Sequence, residues 1–312
     1  MTAFRSHLWS CLEGLGIMAL IALLMLANVA FGGEAYCNAC NGDSGWSGTA
    51  KLDEEDNSTI VRSEMAKRML VSIDEAGGSA IYLDISEQAT EHIPGSIAIS
   101  YDKFLNGTDL RGEAELDVLL GDAGISRNDS VIIYGECMPC GGGPAPATFV
   151  YWIMRSLGHE NVRVLDGTIN DWVSSGRSAV SDTVTLPAKT YVSQITSDFA
   201  ANYDYVNSGR AQIVDARTVQ EFGNSSIPGA INMPYESVLL NDRLLDESKL
   251  KQVFAILNEG QPVVAYTNTG IKASVVWFAL TMLGYDAKLY SYENYWINQE
   301  LLRLAGETNE TA

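Results

Sequence analysis

The chain has 312 residues, a length typical of two globular domains that each bury a core. Hydrophobic residues make up 46% of it, and its formal net charge at pH 7 is −19. A field of that sign repels phosphates, so the composition argues against nucleic acid and anionic membrane surfaces as partners.

The first 35 residues are predicted to be an export signal or a membrane anchor. Arg5 and His7 precede an uncharged stretch, residues 14–33, with Ile17–Ala27 at its centre. About 20 apolar residues suffice to span a bilayer, and small residues after the stretch offer cleavage positions. We therefore expect an exported, extracytoplasmic protein, either secreted or anchored by this segment, with no other membrane contact.

A flexible arm and a set of glycosylation sequons follow the N-terminal segment. Residues 36–59 are polar and rich in glycine without an apolar period, which predicts a flexible arm, and this arm carries Cys37 and Cys40. Glycosylation sequons begin at five asparagines, which are acceptors only in an exported chain: Asn57, Asn106, Asn128, Asn224 and Asn309.

A periodic pattern begins near residue 60 and predicts a first domain over residues 60–180. Met65, Met69 and Ile73 share one helical face, so we expect a helix that stops at the glycines of positions 77 and 78. Ala80–Ile85 has the length and composition of a strand. Short strands alternate with helical stretches from there on, which indicates a mainly parallel sheet flanked by helices.

The most informative stretch of the first domain is a strand, a loop and the start of a helix. Val131–Tyr134 is a buried strand, and a glycine-rich loop with Cys137 and Cys140 follows it. The N–H groups of Gly141 and Gly142, together with the helix dipole, would stabilise an anion such as a thiolate, a persulfide or a bound oxyanion.

The same order of motifs then repeats, which predicts a second domain over residues 188–303 and a short tail, residues 304–312. Pro94 and Tyr134 of the first half correspond to Pro228 and Tyr266 of the second, at nearly the same offset. We therefore expect a duplicated α/β unit in which Val131–Tyr134 and Val263–Tyr266 are equivalent central strands.

These motifs together resemble the rhodanese family, specifically its two-domain sulfurtransferases, over roughly residues 60–303. The motifs that carry the resemblance are His92–Gly95, Ile227–Gly229, Val214–Arg217, and Val164–Gly167 with Trp172 after it. The resemblance implies two rhodanese-like domains in tandem. It also implies an enzyme that holds sulfane sulfur as a persulfide on a loop cysteine and moves it from thiosulfate or mercaptopyruvate to a thiol or cyanide.

The second domain departs from the family's Cys-x-x-Gly-x-Arg loop. Thr267 stands where the nucleophilic cysteine is expected, while Gly270 is kept and Lys272 replaces the arginine. A hydroxyl has no sulfur chemistry and stays protonated near neutral pH, so we expect this domain to be catalytically inactive. Thr267, Asn268, Gly270 and Lys272 could still bind a small anion, or the loop could be retained for packing alone.

The first domain departs differently, because Gly135 follows the strand and its cysteines lie two and five residues further on. Three hypotheses stay open for them. Cys137 or Cys140 carries a persulfide for a small sulfur anion or a thiol acceptor. Alternatively the protein is a non-enzymatic binding or structural module whose Cys-x-x-Cys pairs form disulfides. In the third hypothesis Cys37, Cys40, Cys137 and Cys140 bind zinc or an iron-sulfur cluster; no cofactor is certain.

The remaining polar and aromatic candidates are interpreted as structural. His92 belongs to a recurrent turn and His159 follows a helix-stopping glycine, while Asp84 and Asp215 end strands and are expected to bond loop backbone. The aromatic run Tyr290–Trp296 is expected either to wall the second pocket or to fill the seam between the domains, and the seam is the favoured interpretation.

Overall fold

The computed structural model describes residues 62–138 and 142–310, with side chains as far as residue 303. These residues belong to one compact unit. The predicted signal, the arm and the positions of Cys37, Cys40, Cys140 and Gly141 lie outside the described residues. No helix in the described ranges is both long and apolar enough to cross a bilayer.

Nine helices and thirteen strands occur within the described ranges. The helices are α1 (Glu64–Met69), α2 (Glu113–Asp122), α3 (Ala145–Ser156), α4 (Ile169–Ser174), α5 (Tyr203–Val206), α6 (Val219–Asn224), α7 (Glu247–Val253), α8 (Ala273–Met282) and α9 (Tyr292–Glu310). The strands of the first half are β1 (Leu70–Ser72), β2 (Ile81–Asp84), β3 (Ile97–Ala98), β4 (Leu105–Asn106), β5 (Asp109–Leu110), β6 (Val131–Tyr134) and β7 (Val162–Asp166). Those of the second half are β8 (Gln212–Asp215), β9 (Ile231–Asn232), β10 (Leu239–Leu240), β11 (Arg243–Leu244), β12 (Val263–Thr267) and β13 (Ala287–Ser291).

The two halves have the same sheet topology, so the duplication predicted from the sequence is confirmed. The first sheet has the order β1-β7-β6-β2-β3 and the second has the order β13-β12-β8-β9, with parallel pairing throughout. Each half also has a small antiparallel hairpin, β4–β5 or β10–β11. The predicted central strands are therefore equivalent: β6 matches β12, and both are fully buried.

One tyrosine ends each central strand and fixes the neighbouring turn. The Tyr134 hydroxyl accepts the Ile93 N–H at 3.0 Å, and the Tyr266 hydroxyl accepts the Ile227 N–H at 3.1 Å. Both rings are buried. Because a buried hydroxyl needs a partner, this repeated bond explains why tyrosine and the Ile-Pro-Gly turn recur together in both halves.

The first predicted helix is shorter than its apolar pattern suggested. Helix α1 ends at Met69, and Leu70–Ser72 forms strand β1, which pairs with β7. Ile73 therefore follows a strand and does not share a helical face with Met69. Pairing with β7 at the edge of the sheet gives hydrogen-bond partners to backbone groups of this segment, and the pattern of buried residues fits a strand equally well.

The seam between the halves is built from the equivalent helices α3 and α8. The ring of Tyr151 on α3 meets the ring of Phe278 on α8 edge-on, with centroids 5.0 Å apart. The hydroxyl oxygens of Thr148 and Ser274, which occupy matching positions after their loops, lie 2.7 Å apart and are fully buried. The helices thus share apolar surface and one polar contact.

Candidate active site

The first loop, residues 135–144, leaves the carboxyl end of β6 through a glycine that no other residue can replace. Gly135 has φ +125°, and a Cβ there would lie 2.5 Å from the Ser86 Oγ and 2.7 Å from the Ser86 nitrogen. A side chain directly after the strand is therefore excluded. This explains physically why the cysteines are displaced along the loop.

Cys137 is buried and oxidised. Its sulfur takes part in a disulfide bond, and the other cysteine lies outside the described residues, because Cys137 is the one cysteine within them. The Sγ atom lies 3.6 Å from the Tyr101 hydroxyl and 3.5 Å from Oε2 of Glu87. A carboxylate at that distance would repel an anion that approached this sulfur.

The first loop offers fewer N–H groups to an anion than its glycine content predicts. The N–H of Gly142 donates to the Cys137 carbonyl at 2.9 Å, and that of Gly143 donates to Oε1 of Glu136 at 3.1 Å. Prolines occupy the N-cap and the second position of α3 and have no N–H. The N–H of Gly142 is therefore already bonded within the protein in this conformation, Gly141 lies outside the described residues, and anion binding by these two glycines stays a prediction.

The surroundings of the first loop are acidic. Burial raises the pKa of Glu136, and the nearby charges of Asp242 and Asp171 raise it further. A cavity of about 20 Å³ lies between this loop and β11, which is room for about one water molecule. Arg243 also lines this cavity, so an anion that enters it meets charges of both signs.

The second loop, residues 267–272, has two N–H groups that converge on one oxygen atom. The Thr267 hydroxyl oxygen accepts the N–H groups of Gly270 at 3.2 Å and Ala273 at 3.4 Å. Gly270 has φ +89°, which turns the loop toward Thr267. Thr267 is only 6% exposed, so this oxygen sits in a nearly closed site.

Arg217 flanks the second loop, and its role was not assigned from the sequence. Its guanidinium makes a bidentate pair with the buried Asp215, with Nη2 to Oδ2 at 2.7 Å, and Nη1 lies 3.3 Å from Oδ1 of Asn268. It also lies 4.1 Å from the centre of the Tyr292 ring. The signal was present, since Arg217 ends a strand motif two residues after an aspartate.

The predicted second-loop residues do not all converge. The Nζ atom of Lys272 lies 4.7 Å from the centre of the Tyr235 ring, and Asn268 donates to Oε1 of Glu221 at 2.9 Å. Glu221 places a carboxylate at the mouth of the loop. The second loop therefore brings Thr267, Gly270 and Asn268 together, with the guanidinium of Arg217 beside Asn268.

The aromatic run Tyr290–Trp296 lies beside the second loop, and its expected place in the seam is wrong. Tyr292 stacks on Tyr266 with centroids 5.8 Å apart and on Tyr295 at 6.0 Å, while Trp296 is exposed. These rings form their own buried cluster with the outer face of the second sheet.

The structural interpretation of the histidines and aspartates is confirmed. His159 is buried between the Asp129 carbonyl, 2.8 Å from Nε2, and the Tyr191 hydroxyl, 3.2 Å from Nδ1. Burial lowers the pKa of His159 below its usual value of 6.5. His92 pairs with Oδ2 of Asp84 at 2.7 Å.

Both strand-end aspartates bond loop backbone, as expected from the sequence. Oδ1 of Asp84 accepts the N–H of Ser86, and Oδ1 of Asp215 accepts that of Arg217, each at 2.9 Å.

No group of three or more metal-ligating side chains occurs within the part of the chain that the structure describes. Cys37, Cys40 and Cys140 lie outside it, so the four-cysteine site stays a prediction. The disulfide sulfur of Cys137 carries no thiolate charge, and in this oxidised form it is not available as a metal ligand.

Known proteins share this architecture. The family model of the rhodanese-like domain matches residues 70–175 and again residues 200–296. The thiosulfate sulfurtransferase of Corynebacterium glutamicum is 29% identical over 249 residues, which cover 70% of this chain and 80% of that protein. A putative thiosulfate sulfurtransferase of Mycobacterium bovis is 27% identical over 255 residues, covering 74% and 87% respectively.

The comparison with a solved structure supports the same fold. The 3-mercaptopyruvate sulfotransferase SseA of Escherichia coli superposes with a TM-score of 0.62 at 21% identity, over 71% of this chain and 97% of that one. At that identity the superposition supports the fold. Because the family model matches both halves and the sheets repeat one topology, this chain belongs to the family of rhodanese-like domain proteins, with two such domains in tandem.

Proposed function

We propose that this protein is an exported sulfurtransferase that carries sulfane sulfur as a persulfide on the first loop, with thiosulfate or a related small sulfur anion as donor. The observation that carries the proposal is the tandem rhodanese-like match, together with relatives named thiosulfate sulfurtransferase. Within the matched domains the first loop alone has cysteines. The second domain, with Thr267 in the nucleophile's place, is the non-catalytic one.

The chemistry requires the reduced loop. A thiol reductant first supplies two electrons and two protons to the disulfide of Cys137. A cysteine thiolate then attacks the sulfane sulfur of thiosulfate, the S–S bond breaks, and sulfite leaves with the electron pair. The resulting persulfide is attacked at its terminal sulfur by a thiolate or cyanide, and the cysteine leaves as a thiolate.

Of the two cysteines, we assign the attack to Cys140. The carboxylate of Glu87 lies 3.5 Å from the sulfur of Cys137, where it repels an anionic sulfur donor, and Cys137 is fully buried. Cys137 then serves as the partner that closes a disulfide when no donor is present.

The steady-state formation of thiocyanate from thiosulfate and cyanide tests this proposal. After reduction the wild type should turn over, Cys140→Ser should fall to the uncatalysed rate, and Cys137→Ser should retain part of the activity. The matched control is Thr267→Ser, which keeps the second-loop hydroxyl and should leave the rate unchanged. A Cys137→Ser/Cys140→Ser double variant as active as the wild type would refute the assignment.

A second function is favoured by the oxidised state of Cys137. In that function both loops have lost catalysis and the cysteines brace the structure, because a disulfide at a buried, glycine-rich loop reduces the entropy of the unfolded chain. Its signature is a loss of stability on reduction without any gain of sulfurtransferase activity. Zinc or iron bound in stoichiometric amount to freshly purified protein would favour the metal-binding form of this function.

Export and the choice of partners belong to the same proposal. The uncharged residues 14–33 support export, and an oxidised Cys137 is typical of an extracytoplasmic location. We propose a small sulfur anion and a thiol acceptor as partners, no nucleic acid, and membrane contact through the N-terminal segment alone. N-terminal sequencing of native protein tests this, because a soluble cytoplasmic protein that begins at Met1 contradicts it.

A further inference from the structure

An open groove of about 700 Å³ lies at the seam between the halves, away from both loops. Ser130 and Val162, at the amino ends of β6 and β7, form part of its wall. The first loop leaves the carboxyl end of β6, so the groove and the candidate active site lie at opposite edges of the first sheet. Its volume is within the range of small-molecule sites, about 300–1,000 Å³.

The floor of the groove is aromatic. Tyr151, Phe199 and Trp277 come from three different segments and line it together. The Phe199 and Trp277 rings meet edge-on with centroids 5.7 Å apart. Such a floor packs against a flat apolar body, because aromatic pairs add to the gain from burying apolar area.

The rim of the groove is cationic although the chain as a whole has a net charge of −19. Arg68, Arg155, Arg163 and Lys67 line it, against a single carboxylate, Glu160. Four of the chain's 20 lysines and arginines are therefore gathered here. This cluster of positive charges attracts an anion, although the net negative charge of the rest of the molecule repels it.

Most of these cations have no carboxylate partner among the described residues. Lys67 pairs with Glu64 at 3.0 Å, whereas Arg155 contacts the carbonyl of Glu160 at 3.2 Å and lies 5.7 Å from the centre of the Phe199 ring. Arg68 and Arg163 form no ion pair within the described ranges. No carboxylate of the described residues therefore neutralises these three guanidinium groups, and guanidinium is the cation suited to bidentate binding of an oxyanion.

Tyr151 supplies an independent sign of a ligand. Its side chain is 4% exposed, and its hydroxyl makes no hydrogen bond with any described residue although it lines the groove. Burial raises the pKa of Tyr151 to about 12, so the group stays a neutral donor at physiological pH. The hydroxyl oxygen itself is not fully buried, so it opens to the groove and can donate to an acceptor bound there.

We infer that this groove, formed by Tyr151, Phe199, Trp277, Arg68, Arg155 and Arg163, binds an organic anion with a flat apolar body and a carboxylate or similar oxyanion headgroup. The body lies on the aromatic floor, the headgroup meets Arg155 and Arg163, and Tyr151 donates a hydrogen bond to it. This function is separate from sulfur transfer, since no residue of the groove belongs to either loop.

Isothermal titration of the full-length protein with naphthalene-2-carboxylate, its neutral amide and inorganic sulfate tests the inference. The carboxylate should bind at least tenfold more tightly than the amide, because hydrogen bonds to charged groups are the strong ones. Sulfate has no apolar body and should bind more weakly than the carboxylate. Equal affinities for carboxylate and amide, or no binding at millimolar carboxylate, would overturn the inference.

Variants locate the site. Arg155→Gln/Arg163→Gln and, separately, Tyr151→Phe should each weaken carboxylate binding about tenfold, and the tyrosine variant keeps the ring packing. Arg210→Gln is the matched control, since Arg210 also lies over an aromatic ring, 4.9 Å from that of Tyr205, but outside the groove. If Arg163→Gln does not fold, Arg155→Gln and Tyr151→Phe carry the test. Wild-type affinity in both folded variants contradicts the proposed site.

Discussion

Cys137 and Thr267 occupy opposite chemical situations in the two loops that follow the equivalent strands β6 and β12. Cys137 has the sulfur, but the carboxylate of Glu87 lies beside it, and the N–H groups of Gly142 and Gly143 donate to protein acceptors. Thr267 has two N–H groups directed at its oxygen but no sulfur. A thiolate needs both a sulfur and donors, so neither position has the full set in this conformation.

The substitution Thr267→Cys should place a sulfur atom where the two N–H donors of the second loop converge. The introduced thiol would receive the N–H groups of Gly270 and Ala273, with Arg217 nearby, and its pKa should fall below the ~8.5 of an ordinary cysteine. The rate of alkylation as a function of pH measures this pKa. Because position 267 is 6% exposed, the reagent must be small, such as iodoacetamide.

Thr269→Cys is the matched control for this experiment. It places a thiol in the same loop at a side chain that accepts no N–H from the described residues, so it should titrate like an ordinary cysteine. If both introduced thiols ionise at the same pH, the second loop does not stabilise anions.

His159 should make stability depend on pH. Burial holds its folded-state pKa below 6.5, so as the pH falls through 6.5 the unfolded chain takes up the proton first and stability is lost. The loss ends below the folded-state pKa, and above 6.5 the group contributes no slope. Urea unfolding between pH 7.5 and 5.5 should therefore show a steeper decline for the wild type than for His159→Gln. Parallel declines would contradict this account.

At the level of single residues the sequence located the loops but not their chemistry. Residue types and their order predicted that Thr267 replaces the nucleophile and that His92 and His159 are structural. The contacts of Arg217 with Asn268, of Tyr292 with Tyr266 and of Cys137 with Glu87 were not, because each joins segments far apart in the chain. The use of the Gly142 N–H depends on loop conformation, which glycine content leaves open.

Helices α3 and α8 meet through a contact that single-residue patterns do not show. The hydroxyls of Thr148 and Ser274 are buried 2.7 Å apart, and each also lies within reach of the Ala145 carbonyl, at 3.1 and 3.2 Å. A buried hydroxyl deprived of its partner keeps its desolvation cost, so these groups should be energetically coupled.

A double-mutant cycle with Thr148→Val and Ser274→Ala measures that coupling. Each single variant should lower the free energy of unfolding by about 1 kcal/mol, and the double variant should lose less than their sum. Thr281→Val serves as the control, since its hydroxyl bonds a carbonyl within its own helix, that of Trp277 at 2.8 Å. Strict additivity in denaturant titrations would show that the hydroxyl pair does not couple the helices.

Element types were more predictable than element limits. Apolar runs predicted the strands that precede the loops, because buried parallel strands are continuously apolar. The spacing of these runs predicted the parallel topology. The end of α1 was missed, since Leu70–Ser72 becomes a strand only by pairing with β7, nearly a hundred residues later. Helix α9 likewise runs to Glu310, beyond the limit of residue 303 assigned to the second domain.

On the scale of the whole molecule, a buried ionic cluster joins the two halves. Asp166, at the end of β7, accepts from Arg62 at 2.9 Å, and its carbonyl accepts from Arg243 of hairpin β10–β11 at 3.0 Å. Arg62 also donates to the Leu244 and Leu245 carbonyls. The cluster therefore holds a hairpin of the second half against the first sheet.

Asp166→Asn should lower the free energy of unfolding by about 3 kcal/mol, because it removes the shorter ion pair of the buried Arg62 and leaves only the pair with Glu247, Nη1 to Oε2 at 3.5 Å. The side chains of Asp166 and Arg62 are 8% and 9% exposed, so water cannot replace the lost charge. Glu64→Gln is the control, since its pair with Lys67 is exposed, and it should change stability by less than about 1 kcal/mol. Equal effects in guanidinium titrations would show that the cluster is not a structural joint.

The central claim is that the first loop carries the transferred sulfur, and peptide mass spectrometry tests it most directly. Reduced wild-type protein is treated with thiosulfate, freed of excess reagent, digested and compared with the Cys140→Ser and Thr267→Ser variants. The account predicts a gain of one sulfur atom on the peptide that contains Cys137 and Cys140, in the wild type and in Thr267→Ser, and its loss in Cys140→Ser. No gain of sulfur after full reduction, or the same gain in Cys137→Ser/Cys140→Ser, would contradict it.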